Sequence, residues 1–114
     1  MDDCLFCKII KKQIPANIVY EDDLMIAFHD INPVAPVHIL FIPKKHIVSM
    51  AEITPEDSHI SAGILQQISA YAHQHGYDKT GFRIITNTGE NAGQTVFHIH
   101  FHLLAGRIFQ WPPG

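Results

Sequence analysis

Phe97-His98-Ile99-His100-Phe101-His102-Leu103-Leu104 alternates histidine with an apolar residue. Side chains of a strand point to opposite faces with period two. Read as a strand, the stretch puts His98, His100 and His102 on one face. Phe97, Ile99, Phe101 and Leu103 share the other, a core face. A core explains the apolar row. It does not explain three imidazoles where Thr or Val would pair better. Beside the stretch lies a loop, Asn87-Thr88-Gly89-Glu90-Asn91-Ala92-Gly93-Gln94-Thr95.

The remaining elements follow outward from this strand. Residues 81–87 form its neighbour across the glycine loop. Residues 37–42 are almost wholly apolar with His38 inside, which suits a central strand covered on both faces. Residues 17–20 and 24–28 are two apolar runs joined by Glu21-Asp22-Asp23, a hairpin signal. Residues 5–12 read as a short helix that stops before Pro15. Thr54-Pro55-Glu56-Asp57 starts a long helix, with Thr as N-cap and Pro at the first turn. Ile60, Ile64, Ile68 and Tyr71 form its core stripe, and Gly76 ends it. Five strands, one long helix and a short N-terminal helix make an α+β domain with a mainly antiparallel sheet. Hairpin-length connections are expected between strands 1 and 2 and between strands 4 and 5.

The chain has 114 residues, so one domain is expected over 1–114, with a tail at 107–114. Only 17% of residues are charged. Such a lean charged surface suggests cover by a second copy, a homodimer. A net charge of -3 gives no footprint for nucleic acid or a membrane surface. The start, Met1-Asp2-Asp3, is acidic and leads into no long apolar run, so a cytoplasmic protein without a membrane span is expected. Cys4 and Cys7 form a Cys-x-x-Cys pair. Disulfides rarely persist in the cytosol, so a metal site or a redox pair remains.

Is the histidine row a metal site or a catalytic one? Same-face neighbours of a strand lie about 6.5–7 Å apart, and zinc–nitrogen bonds are about 2.0–2.1 Å. All three histidines cannot reach one ion, so at least one is left for other work. A neutral imidazole is a competent nucleophile and proton carrier near pH 7. Crowded imidazoles disfavour the charged form. Gly89 and Gly93 would let the loop aim N–H groups into an anion nest, with Gln94 and Thr95 adding side-chain donors. Together these point to attack on phosphorus. His38 joins this chemistry if its strand lies near the row. His29 and His59 are expected to be hydrogen-bonded core residues, and His73 and His75 a solvated helix end.

His98-Ile99-His100-Phe101-His102-Leu103-Leu104 resembles the signature of the histidine triad family. Phe28-His29-Asp30-Ile31 with Pro33 and Pro36, His38, and Ile42-Pro43-Lys44-Lys45-His46-Ile47 resemble its nucleotide-binding segment. Asn87, Gly89 and Gly93-Gln94-Thr95-Val96-Phe97 resemble its phosphate loop. The ending Trp111-Pro112-Pro113-Gly114 is similar to the Hint branch, the purine nucleoside phosphoramidases. The resemblance spans nearly the full chain, from about Leu5 to Gly114. It implies a homodimer that binds a purine nucleotide and cleaves the P–N bond of an adenosine 5′-phosphoramidate. His100 would be the nucleophile, forming a nucleotidyl-histidine intermediate. His102 would contact the phosphate, and His38 and His98 would belong to the catalytic histidine network. Asp30 would take the ribose hydroxyls, and Ile31 would line the base pocket. Asn87, Gly93, Gln94 and Thr95 would hold the phosphate and leaving group. Thr95 stands where Ser is commoner, with the hydroxyl kept. Trp111 would tune substrate choice.

The cysteine pair departs from animal members of that branch. It resembles bacterial relatives in which Cys4 and Cys7 would join His46 and His98 on structural zinc. No organic cofactor is implied. Two alternatives stand beside this reading: a dinucleoside polyphosphate hydrolase like the Fhit branch, against which the Trp111-Pro112-Pro113 tail argues, and a zinc-holding nucleotide-binding or scaffold protein with incidental catalysis.

Overall fold

The computed structural model describes residues 3–114. The acidic start read at Met1 and Asp2 lies outside the described residues. The elements run α1 (Leu5–Ile10), β1 (Ile18–Glu21), β2 (Met25–His29), β3 (Val37–Pro43), α2 (Ser58–His75), α3 (Tyr77–Thr80), β4 (Phe82–Ile85) and β5 (Phe101–Ala105). The five strands form one sheet in the order β1-β2-β3-β5-β4, antiparallel at every step. This is the α+β architecture expected from the pattern. The short α3, formed by Tyr77-Asp78-Lys79-Thr80 after the left-handed Gly76, adds to the expected elements and carries no apolar periodicity that would announce it.

α2 covers one face of the sheet. Its Ile60, Ile64 and Ile68 pack on Ile39, Phe41, Phe101 and Leu103. The other face receives α1, where Phe6 and Ile9 meet Ile26, Phe28, Leu40 and Ile42. β3 has both faces covered, which is why its sequence shows no polar alternation. The N-terminus of α2 is fixed by Thr54, whose N–H donates to Asp57 Oδ2 at 3.3 Å, with Pro55 in the first turn. Lys45 Nζ donates to Asp57 Oδ1 at 2.7 Å and ties the loop after β3 to that helix start.

The histidine stretch is only partly a strand. β5 begins at Phe101, four residues later than its alternation suggests. Phe41 pairs with Phe101, so the same register would set Ile99 opposite Pro43. Proline has no N–H to give, and the ladder stops there. Ile99 N–H donates to Ile47 O at 2.6 Å instead. The two faces survive this change: Ile99, Phe101 and Leu103 lie in the α2 core. Phe97 does not. It is 55% exposed, because it precedes the part of the chain that the sheet orients. The β4–β5 connection is correspondingly long rather than hairpin-like. His29 and His59, expected in the core, are exposed: the one ends β2 and the other faces outward from α2.

Candidate functional site

Leu40 pairs with His102 across β3 and β5, so His38 sits diagonal to His102 on the same face. Their rings meet, with His38 Nε2 and His102 Nδ1 2.9 Å apart. The proton positions follow from one backbone group. Val34 N–H donates to His38 Nδ1 at 3.1 Å, so that nitrogen is an acceptor. Neutral His38 therefore carries its proton on Nε2 and donates to His102 Nδ1. His102 in turn carries its proton on Nε2. That Nε2 is buried and has no partner, the one such side-chain atom among the described residues. Asp30 Oδ2 lies 3.4 Å from His38 Nε2, and Asp30 Oδ1 accepts the Asn32 N–H at 2.8 Å.

His100 is set differently. Its Nδ1 lies 2.8 Å from the carbonyl oxygen of His98, which can only accept. The proton is on Nδ1, and Nε2 holds the lone pair. The His100 and His102 rings stand 5.0 Å apart. A ring with a bare nitrogen thus stands next to a ring with a buried, unpartnered N–H. All of this depends on neutral rings. Burial comes first in holding His102 down to about 4, with repulsion from His100 and His38 next. Burial likewise lowers His38, against the pull of Asp30. Crowding, the cause expected from the sequence, is secondary to burial.

His38, His100 and His102 open on a cavity of about 470 Å³. Asp30, Ile31 and Thr95 line it as well, while Leu5, Phe6 and Ile9 of α1 give it an apolar wall. An apolar pocket with a few convergent polar groups is the usual form of a small-molecule site. The α1 residues were missed as site residues. Their signal was present: Phe6 lies between the two cysteines, and its ring stands edge-on to Phe28, His98 and His100. Val34, which sets the proton order through its main chain, leaves no trace in the side-chain sequence.

The glycine loop departs from its expected role. Gly93 N–H donates to Glu90 O, Gln94 N–H to Gly89 O, and Gly89 N–H to Gln94 Oε1. These donors are spent inside the loop's own turn, so they do not form an open anion nest. Gln94 is buried and its amide also donates to Val48 O and Val96 O, at 2.8 and 3.1 Å. It braces the loop. Asn87 and Gly93 do not line the cavity, whereas Thr95 does.

His98 belongs elsewhere. Its ring is fully buried, does not line the cavity, and donates from Nε2 to Pro43 O at 2.8 Å. Nδ1 is thereby bare and lies 3.5 Å from Cys4 Sγ and 3.6 Å from Cys7 Sγ. His46 Nδ1 is 3.3 Å from Cys7 Sγ. One ligand atom from each of the four residues falls within 4.8 Å of the others. Tetrahedral zinc, with bonds of about 2.3 Å to sulfur and about 2.0–2.1 Å to nitrogen, sets adjacent S and N ligands roughly 3.5–3.6 Å apart. The donor set and spacing fit such an ion. Both cysteines are free thiols. Burial, helped by the hydrogen bond to Cys4, pushes the Cys7 thiol up.

A family model for the HIT domain matches residues 11–108. The chain belongs to the HIT family. A HIT-like protein of Synechocystis is 50% identical over 113 residues, covering 99% of this chain and 98% of that one. A "14 kDa zinc-binding protein" of Brassica juncea is 46% identical over 114 residues, covering 98% of this chain and all of its own length. The crystal structure of a HIT family hydrolase from Legionella pneumophila superposes with a TM-score of 0.96 at 46% identity, over 98% of this HIT domain and 100% of that chain. Among the described residues, no helix is long and apolar enough to cross a membrane.

Proposed function

We propose that this HIT domain hydrolyses adenosine 5′-phosphoramidates, AMP joined to an amine through a P–N bond. The observation that carries the reading is the buried, unpartnered His102 Nε2–H beside the free Nε2 of His100. A buried donor without a partner costs about 1–3 kcal/mol, and a phosphate oxygen would satisfy it. The purine occupies the apolar wall of α1 near Ile31. Asp30 accepts from the ribose hydroxyls. His102 donates to a non-bridging phosphate oxygen, where charge grows as His100 attacks. The P–N bond breaks and a P–N bond to His100 Nε2 forms. The departing amine takes a proton passed from water over the Thr95 hydroxyl, since an unprotonated amine leaves poorly. The His98 carbonyl, which accepts from Nδ1–H, stabilises the positive charge that develops on the His100 ring. The hydroxide left by that water then attacks phosphorus, His100 departs as the neutral ring with its proton on Nδ1, and AMP is released.

Cys4, Cys7, His46 and His98 would hold zinc. It supplies a closed four-ligand crosslink between α1 and the chain before β5, without an open position for substrate. The Brassica relative's name supports this reading. A second copy of the chain would complete the particle. Among the described residues no strand pairs the outer edge of β4, and Ile108 and Trp111 in the tail are 84% and 82% exposed. Reduced thiols suit the cytoplasm.

Amine release from adenosine 5′-phosphoramidate tests the activity. The same rate from wild type and His100→Ala would overturn it. Faster turnover of diadenosine polyphosphate than of the phosphoramidate would favour the dinucleotide reading instead. Nucleotide binding and bound zinc without turnover of either would favour the zinc-holding binding protein.

A further inference from the structure

The zinc-type cluster and the nucleophile share one carbonyl group. His98 O accepts the His100 Nδ1–H at 2.8 Å. Residues 97–100 lie outside the sheet ladder, so no strand pairing fixes that carbonyl. It is held by what holds residue 98 itself. The ring is anchored at Nε2 by Pro43 O, and its Nδ1 faces the two cysteine sulfurs. The neighbouring Ile99 N–H is anchored on Ile47 O, one residue beyond His46. A second connection runs through Phe6. It sits between Cys4 and Cys7, with its ring centroid 5.9 Å from that of His98 and 5.1 Å from that of His100. α1 has six residues, far fewer than an isolated helix needs to persist in water. Yet Leu5, Phe6 and Ile9 of this helix form a wall of the cavity.

We propose that the Cys4/Cys7/His46/His98 cluster, when metal-loaded, positions the nucleophile and closes the purine wall. His98 is a positioning residue that holds His100 in the Nδ1–H tautomer through its main-chain carbonyl, and α1 is a wall clamped by its two thiolates. The inference rests on the reading of His100 as nucleophile and of the cluster as a zinc site. Without metal the His98 ring keeps the Pro43 bond, and the planar peptide that carries its carbonyl is held by Ile99 N–H on Ile47 O, next to a released His46, so the carbonyl turns more easily. His100 then carries its proton on either nitrogen, so a smaller fraction presents a bare Nε2. α1 loosens at the same time, and nucleotide binding weakens.

The test uses the full chain with 15N-labelled histidine in three states: zinc-loaded, stripped by a chelator, and reloaded. Zinc content is read by elemental analysis. Two readouts need no turnover, namely the imidazole 15N spectrum of His100 and the affinity for AMP by titration calorimetry. The loaded protein is expected to show one Nδ1–H tautomer. The stripped protein is expected to show a mixture and about tenfold weaker AMP binding, both restored by zinc. An unchanged His100 spectrum and unchanged AMP affinity in stripped protein with native circular dichroism would overturn the proposal. Should stripping unfold the chain, His98→Cys decides. Cysteine keeps a ligand at position 98 and gives a Cys3His set, but its sulfur is one bond nearer the main chain. Reaching the metal then drags the residue 98 carbonyl. Zinc-loaded His98→Cys is expected to show the mixed tautomer, and a wild-type spectrum there would overturn the coupling. Absent amine release or absent AMP binding in loaded wild type strikes the phosphoramidase reading alone. The His100 spectrum still judges the coupling.

Discussion

Two histidine clusters share one short run of chain and do opposite things with their nitrogens. In the Cys4/Cys7/His46/His98 cluster, the His98 ring has Nε2 on a carbonyl and Nδ1 on two sulfurs. In the His38/His100/His102 cluster, the relay from Val34 ends on an N–H with no partner, and His100 keeps a bare nitrogen. The residue type is the same, and burial is similar. What separates the two clusters is the group at the far nitrogen of each ring. A histidine row is therefore interpreted by tracing its protons, not by counting its rings.

The most severe way to break the comparison is to remove the bare nitrogen. His100→Ala is expected to lower amine release by about 10³-fold or more, roughly 4 kcal/mol or more in barrier height. AMP affinity should change only a few-fold, because the purine wall and Asp30 remain. Single-turnover kinetics with calorimetry separate the two. Next in size is the unpartnered donor. His102→Ala is expected to cost about 10²–10³-fold in kcat, the usual loss for one preorganised donor. His102→Gln can set an amide N–H near the position of Nε2 and should recover much of that rate. Equal rates for Ala and Gln would mean that His102 does not act as a hydrogen-bond donor.

Much of this arrangement was legible in the sequence, and the gaps have physical causes. The alternation of His98 to Leu104 assigned two faces correctly because period two persists in extended chain even without a ladder. It could not show that pairing stops at Pro43, since that depends on the register between β3 and β5. Ile60, Ile64 and Ile68 announced the core face of α2, and the two-sided burial of β3 was written in its unbroken apolar run. The loop misled. Gly89 and Gly93 suggested open N–H groups, but a turn closes on its own carbonyls before it offers donors to a ligand. Gln94 looked like a phosphate donor and is a brace, because residue type does not say which backbone groups need an acceptor. The proton order in the site rests on Val34 N–H, a group every residue but proline possesses. No side-chain pattern could reveal it.

Acid titration sharpens the comparison from the stability side. His102 is near 4 in the fold, down from an ordinary 6.5. Above pH 6.5 the ring is neutral both folded and unfolded. As pH falls below 6.5 the unfolded chain binds a proton that the folded site refuses, so stability is lost progressively down to pH 4. For one such ring, only partly buried and so partly screened by solvent, the loss is about 1–2 kcal/mol. His38 is shifted in the same direction. Carboxylates with lowered values, such as Asp22 and Asp57, act mainly at the acid end of this range. Urea midpoints measured between pH 7 and about 4.5 should therefore fall with acid, and less steeply in His102→Gln. Matching slopes in the two proteins would show that the His102 ring is not buried neutral.

The smallest effect separates the loop from the site it carries. Gln94→Ala leaves Gly89 N–H, Val48 O and Val96 O without their present partner. The expected result is a loss of about 1–3 kcal/mol in stability. The loop would still deliver Thr95 to the cavity, so AMP affinity measured well below the unfolding transition should fall no more than a few-fold. Thr95→Val should do the reverse: stability close to wild type, with slower amine release because the hydroxyl that passes a proton is gone. Were Gln94 a direct phosphate ligand, its loss would weaken AMP binding at least as much as the loss of any other single donor. A tenfold or larger drop in AMP affinity for Gln94→Ala, without a stability change, would return that side chain to the site.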